Sequence, residues 1–453
     1  MPYLILLILS VTGIAVYDGR RERRSGMVLY ILIGVLSALI AGLRYRLGVD
    51  TVMDEYMMRL EDVYHDNVDV GGIKYYYPVY IGLVRLMRCF TYSIWPVQLV
   101  INLWIGFYVF YFGYRMRHEM GGRLFLYVTL YLILWYIRLN FGVYRQGMSL
   151  GFFVLGWLKL RERRYWWYIF FCLCATVCHR FGAVTILFAL IESARFKRLV
   201  SHRKSLIIIL VSAFLTGMAL RYMITDVLVH IDFGWQRINN DIAAYADFII
   251  KNQRGLPGVI KMLILTVVYP ALAMILLRRV NVWVMAAVII MTAGIWLNPM
   301  DRLYIYFALI CIVEVVRCVA ERRRVMKAWM WVICFVPMMV MVCSNYVSVQ
   351  RWPDGRDHRA YEYYWPYTSV LNPERNIARE IYSIRRFSCD HYISVVILSD
   401  KVDRGEELTD EERDWIERLY IENRSAGEGR ECIEKDIMEY IRLRGLDNEE
   451  SEW

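Results

Sequence analysis

The sequence lacks the local signatures that announce a soluble enzyme. No GxSxG elbow, Walker loop, HExxH pair or Rossmann glycine run stands in a context that would let it work. There is no internal repeat and no long low-complexity tract, which sets aside repeat arrays and disordered scaffolds. Pro2–Tyr17 has neither a basic n-region nor a small-residue cleavage site, so it predicts a first span and not a removable signal peptide. The apolar runs carry few polar groups at their middles, whereas a transporter is expected to place them along the midplane. The ten cysteines are scattered. Cys172, Cys174, Cys178 and His179 look at first like ligands, but on one helix Cys172 and Cys174 point about 200° apart in an apolar segment. Neither a metal nor any other cofactor is predicted. Cys389 and Cys432 would pair only in an extracytoplasmic tail, and two cysteines do not establish one.

What is present is apolar length. Of 453 residues, 58% are hydrophobic, with 15 Trp and 34 Tyr. Runs of about 15–20 apolar residues are broken by short basic clusters, which predicts an all-α polytopic membrane protein. The formal charge of +10 divides unevenly. Residues 371–453 hold 13 basic and 22 acidic side chains, a net of −9, against +19 before them. The basic excess sits in short loops between spans, so membrane topology accounts for it and nucleic acid is not a predicted partner. Two regions follow: a multi-span domain over 1–370 and a charged, acidic, mostly helical soluble tail over 371–453. Within the tail, Thr409 stands three residues before Glu412 and reads as a capping box opening an amphipathic helix.

The positive-inside rule orders the spans. Arg20, Arg21, Arg23 and Arg24 follow the first span and lie inside, so Met27–Leu43 crosses outward. Pro78–Tyr92 is short and holds Arg85 and Arg88, which predicts an interfacial or re-entrant helix. Had it crossed, every later basic cluster would fall outside. Trp95–Tyr114 then returns inward, and alternation continues through Ala328–Cys343 to give about twelve transmembrane helices.

On this topology a distinct set of groups collects at the outer ends: Arg44, Arg46 and Asp50; Arg138, Asn140, Tyr144, Arg145 and Gln146; His179 and Arg180; Asn298, Asp301 and Arg302; and the aromatic stretch 361–367. Arginine is disfavoured in short outer turns, yet three of them contain it. Its planar donor fork suits bidentate binding of phosphate, and converging arginines would suit a lipid-linked diphosphate. Plainer readings stand beside this one. Arg138 and Arg180 would serve as snorkelling anchors, His179 as a helix-end histidine, the aromatics as an interfacial belt and Asp50 as an ion-pair partner.

The ordered set of motifs resembles the EpsG family, the Wzy-like bacterial polysaccharide polymerases. Arg44, Gly48, Asp50 and Tyr56 are similar to its R-x-x-x-G-x-D-x-x-x-x-x-Y signature, and Arg145–Gln146 to its R-Q motif. His179 occupies a position like that family's histidine. Arg302 and Tyr306 resemble its late R-x-x-x-Y segment, and 365–370 its P-Y-x-S-V ending. The resemblance implies a Wzy-like or GT-C-like helical bundle in the bacterial inner membrane. It implies joining of undecaprenyl-diphosphate-linked repeat units at the periplasmic face, for capsule, exopolysaccharide or O-antigen. Arg44, Arg46, Arg145 and Arg302 are then assigned to the diphosphate, Asp50 and His179 to the base, and Gln146, Tyr56, Tyr306 and Tyr367 to the sugars. The implied partners are the lipid-linked glycan, membrane lipid, a chain-length regulator and other assembly proteins. A flippase for the same glycan or an O-antigen-ligase-like transferase are the alternatives.

Overall fold

The computed structural model describes residues 2–19, 24–45, 47, 78–90, 94–231, 281–297, 300–321, 349–351, 357–359, 364 and 367–372, with 242, 243, 246, 249, 250 and 259. Long apolar runs with few helix breakers fold as helices. These are α1 (Pro2–Val16), α2 (Arg24–Gly42), α3 (Pro78–Arg88), α4 (Trp95–Met116), α5 (Leu124–Leu134), α6 (Tyr144–Arg161) and α7 (Tyr165–Cys178). A 13-residue 3-10 helix, Arg180–Glu192, follows α7. Then come α8 (Ala194–Ser201), α9 (Arg203–Tyr222), α10 (Val282–Gly294), α11 (Met300–Tyr304) and α12 (Ala308–Glu321). A short antiparallel pair, β1 (Val349–Arg351) and β2 (Asp357–Arg359), sets Gln350 opposite His358.

Four stretches are long and apolar enough to cross a membrane: Arg24–Gly42, Trp95–Met116, Ser205–His230 and Arg302–Ala320. Arg24–Gly42 and Trp95–Met116 overlap the spans expected at Met27–Leu43 and Trp95–Tyr114. Shorter apolar helices accompany them, including Leu124–Leu134 and Val282–Gly294. The expected helix at 78–92 is present as α3. The tail beyond 372, with its capping-box helix and Cys389 and Cys432, lies outside the described residues.

α4 is the centre of the bundle, packed between α2 and α6, with α7 against the far side of α6 and α1 against α2 and α5. Ile101, Ile105, Tyr108 and Phe112 on α4 are fully buried at helical spacing. The helices meet through small residues: a side chain at Gly106 would come within 3.1 Å of Ala38 Cβ on α2. Large apolar residues face outward instead, among them Ile5, Ile8, Ile31, Leu103, Phe107, Trp166 and Phe170. Small inside and large apolar outside is the packing that lipid permits and water does not.

The bundle has two chemically different ends. At one, the strongly basic turns meet. Arg115 pairs with Glu162 at 2.9 Å and Arg161 with Glu119 at 2.7 Å. Asp18, after α1, accepts from the Phe125 and Leu126 N–H groups at 3.0 and 2.8 Å. It thereby satisfies two orphan donors in the first turn of α5. Asn281 beside α10 donates to Glu314 of α12 at 2.8 Å. α2 and α4 run from this end to the other, about 33 Å for the 22 residues of α4.

Candidate functional site

At the opposite end, the N-terminus of α6 is the hub. A π-helical turn, Arg138–Gly142, precedes it, and the Val143 N–H donates back to the Arg138 carbonyl at 2.9 Å. Such turns often occur where a helix is bent to serve a site. Arg145 and Gln146 therefore emerge in the first turn of α6. Gln146 is only 1% exposed, and its Nε2 donates to the Arg302 carbonyl, tying α6 to α11 across 156 residues of sequence. Its Oε1 is buried and has no hydrogen-bond partner among the described residues. The Arg145 guanidinium lies 5.5 Å from the Tyr80 ring centroid, which brings α3 to the same place. The Arg302 side chain is exposed.

His179 arrives from α7. Its N–H donates to Ala175 O at 3.0 Å and closes that helix, and its backbone is extended. The Phe181 N–H then donates to His179 Nδ1 at 3.3 Å, and the Gly182 N–H to His179 O at 2.7 Å. This reversal is possible because residue 182 is glycine: a Cβ there would stand 2.4 Å from the Ala175 carbonyl carbon and oxygen. The imidazole is 2% exposed and stacks on Phe181 with centroids 5.7 Å apart. Burial, followed by the nearby positive charges of Arg302, Arg145 and Arg180, holds His179 well below the ordinary histidine range. The ring is neutral at physiological pH.

Arg44 has a different environment. It is fully buried, its Nε donates to Leu47 O at 2.8 Å, and its NH1 donates to Ala41 O. The guanidinium also lies 4.7 Å from the Phe141 centroid. It thus caps the carbonyl end of α2, where a cation is favoured, and leans on the turn leading to Arg145. The segment 367–370 pairs with the same corner. The Tyr45 N–H donates to Thr368 O at 3.0 Å and the Val370 N–H to Leu43 O at 2.9 Å. Tyr367 donates to Ile40 O at 2.9 Å.

Tyr306 is fully buried, with its hydroxyl 2.8 Å from Ser149 Oγ. Ser149 donates its proton to Ala175 O at 2.8 Å, so Tyr306 is the donor to Ser149. That pair joins α6 and α7 to the 3-10 turn Ile305–Phe307 that leads into α12. Tyr306 is buried and Tyr367 half-buried, each bonded within the protein. Arg46, Asp50 and Tyr56 lie outside the described residues, as does Asn298.

One feature was not foreseen from sequence. Tyr131 donates to Asn140 Oδ1 at 2.5 Å, Asn140 Nδ2 to Asn102 Oδ1 at 2.8 Å, and Asn102 Nδ2 to Gln98 O at 2.8 Å. The available signal was Gln98 and Asn102, four apart in an otherwise apolar span and so on one helix face. Among the described residues, no cluster of three or more His, Cys, Asp or Glu has metal-ligand geometry.

The site thus assembles Arg145, Gln146, His179 and Arg302 from three separated segments, with Arg44 bracing them, at the end away from the basic turns. A positive cluster of this kind, beside the aromatic rings of Tyr80 and Phe181, can meet an anion. The model of the EpsG family matches residues 27–369. No curated protein and no solved structure gives a match.

Proposed function

The chain belongs to the EpsG family, and from that membership we propose that it is a membrane glycosyltransferase, a Wzy-like polymerase that joins polysaccharide repeat units carried on undecaprenyl diphosphate. The family supports an exopolysaccharide-related polymerase; the donor, the inner membrane and the periplasmic site are our assignment. The same proposal keeps about twelve transmembrane helices, with the active end facing away from the basic turns.

The observation that carries this reading is the meeting of Arg145 and Arg302 beside His179, through the Gln146–Arg302 bond. In the reaction, a hydroxyl oxygen of the acceptor sugar bonds to the anomeric carbon of the donor. The bond from that carbon to the diphosphate oxygen breaks, and its electron pair leaves with undecaprenyl diphosphate. The hydroxyl proton goes to a base, with Asp50 and His179 the candidates. Arg145 and Arg302, joined by Arg46, stabilise the charge that develops on the leaving diphosphate. Arg44 supports them from behind. Gln146 Oε1 accepts from a sugar hydroxyl, and Tyr56 adds an aromatic face. Tyr306 and Tyr367 shape the walls. A chain-length regulator and other assembly proteins are the proposed partners.

Gel analysis of surface glycan from a strain lacking the chain tests this directly. Single repeats in place of a ladder are expected. An undiminished ladder would overturn the proposal, and glycan retained inside the cell would point to a flippase.

A further inference from the structure

We infer that α8, the short helix between the 3-10 segment and α9, is a binding surface for the headgroups of anionic phospholipids, in the leaflet at the basic end of the bundle. The inference does not depend on the reaction that the chain catalyses. Ser193 opens α8: its side chain accepts from the Phe196 N–H at 3.2 Å, as an N-cap does. Two residues one turn apart then face inward. Val200 is 1% exposed, and Phe196 packs against both apolar clusters of the bundle. Arg195, Arg198 and Leu199, an i, i+3, i+4 set, share the exposed side. Lys197 is paired with Glu192 at 2.6 Å, and Glu192 also accepts from Trp283 Nε1 at 2.5 Å, near the start of α10. Among the described residues, neither Arg195 nor Arg198 has a carboxylate partner.

What surrounds this face identifies its occupant. Leu187 and Leu190 before α8 are 62% and 65% exposed, and Ile207 and Ile208 after it 63% and 65%. Large apolar groups so open belong against lipid tails. α8 therefore lies where the chain leaves the hydrocarbon and re-enters it, with Leu199 exposed beside the two arginines. An amphipathic helix with arginine on its polar side and leucine next to it rests in the headgroup layer. A protein partner would find too little surface. Eight residues make a helix about 12 Å long and about 10 Å across. One side of it falls well short of the roughly 800 Å² that each partner buries in a stable protein interface. Phosphate oxygens, by contrast, match the two guanidinium forks that stand one turn apart. A zwitterionic headgroup brings a cation that repels those forks, so a headgroup of net negative charge is selected.

A photo-crosslinker at the face reads its neighbours directly. The full chain, with a benzoyl-phenylalanine introduced at Leu199, would be placed in nanodiscs of equal phosphatidylglycerol and phosphatidylcholine. After irradiation its lipid adducts would be weighed by mass spectrometry. We expect phosphatidylglycerol adducts to outnumber phosphatidylcholine adducts about fivefold. The ratio should fall to about one in the Arg195→Gln/Arg198→Gln pair, and also in about 1 M salt, where charges are screened beyond about 3 Å. Arg195→Lys/Arg198→Lys keeps the charge and should keep most of the preference. Equal adducts in the parent, a preference that survives the glutamine pair, or crosslinks to protein in place of lipid would overturn the inference. So would loss of the preference on adding about 20 mM inorganic phosphate at constant ionic strength, which would assign the two forks to a free anion. Folding of each variant is checked by thermal melting in phosphatidylcholine alone. Should the glutamine pair fail to melt cooperatively, the salt series on the parent decides, and a ratio unchanged by salt contradicts the assignment.

Discussion

Arg44 and Arg145 carry the same charge at the same end of the bundle, yet their surroundings assign them opposite work. Arg44 spends its donors on Ala41 O and Leu47 O, inside the protein. Arg145 stands over Tyr80 at a helix start, beside Arg302 and His179. Replacing Arg44 by Ala strands two buried carbonyls, and each such group costs about 1–3 kcal/mol. Arg44→Ala should therefore lower the melting temperature and the amount of protein in the membrane, as read by thermal melting and immunoblot. A variant with normal abundance and melting would show that the cap is dispensable. His179 gives a pH test at the same scale. The folded chain keeps the ring neutral while the unfolded chain titrates near 6.5, so the folded state binds fewer protons below that pH. Its contribution is complete above about pH 6.5 and is lost as pH falls, by up to about 1.4 kcal/mol per pH unit. Melting curves of the parent and His179→Gln should diverge in slope below about pH 6.5 and run parallel above it.

At the scale of elements, two turns hold the helices in register. Gly182→Ala would drive a methyl group into the Ala175 backbone, 2.4 Å away, so α7 and the 3-10 helix must part. The chain should still insert, but polymer length should fall as the His179 ring moves; full-length ladders from Gly182→Ala would rule out this role for the turn. At the other end, Asp18 joins α1 to α5, and burial lifts its carboxyl to about 6 despite the bonds from Phe125 and Leu126. Asp18→Ala should lose about 1 kcal/mol of stability at pH 7, as a removed helix cap does. Its melting point is the readout. Little of this was legible in sequence. The spans at Arg24–Gly42 and Trp95–Met116 were, because hydropathy and basic loops are local signals. Capping across elements is not local: nothing near Asp18 announces that its partners lie more than a hundred residues away. Nor does the sequence of 180–192 distinguish a 3-10 helix from an α-helix, since both bury apolar residues at similar spacing.

For the molecule as a whole, the separation of the two ends is the central result. The sequence pointed to it through the basic loops, and the fold joins those turns to one another through Arg115–Glu162 and Arg161–Glu119. It could not foretell that Arg44 would bond to backbone carbonyls, because a charge count is blind to the carbonyls that a fold supplies. The roles of Arg46, Asp50 and Tyr56 rest on the motif alone. If the ends face opposite sides of the membrane, an impermeant thiol reagent applied to intact spheroplasts should label a cysteine placed at Arg138 and spare one at His118. Labelling of both, or of the second alone, would reverse the topology.

The most direct measurement is the glycan ladder from cells whose chain carries Arg145→Ala, with the protein quantified in the same membranes. Arg145 is assigned to the diphosphate, so its loss should leave the amount of protein unchanged while long polymer gives way to single repeats. A normal ladder at normal protein level would contradict a diphosphate held by arginines at this end of the bundle.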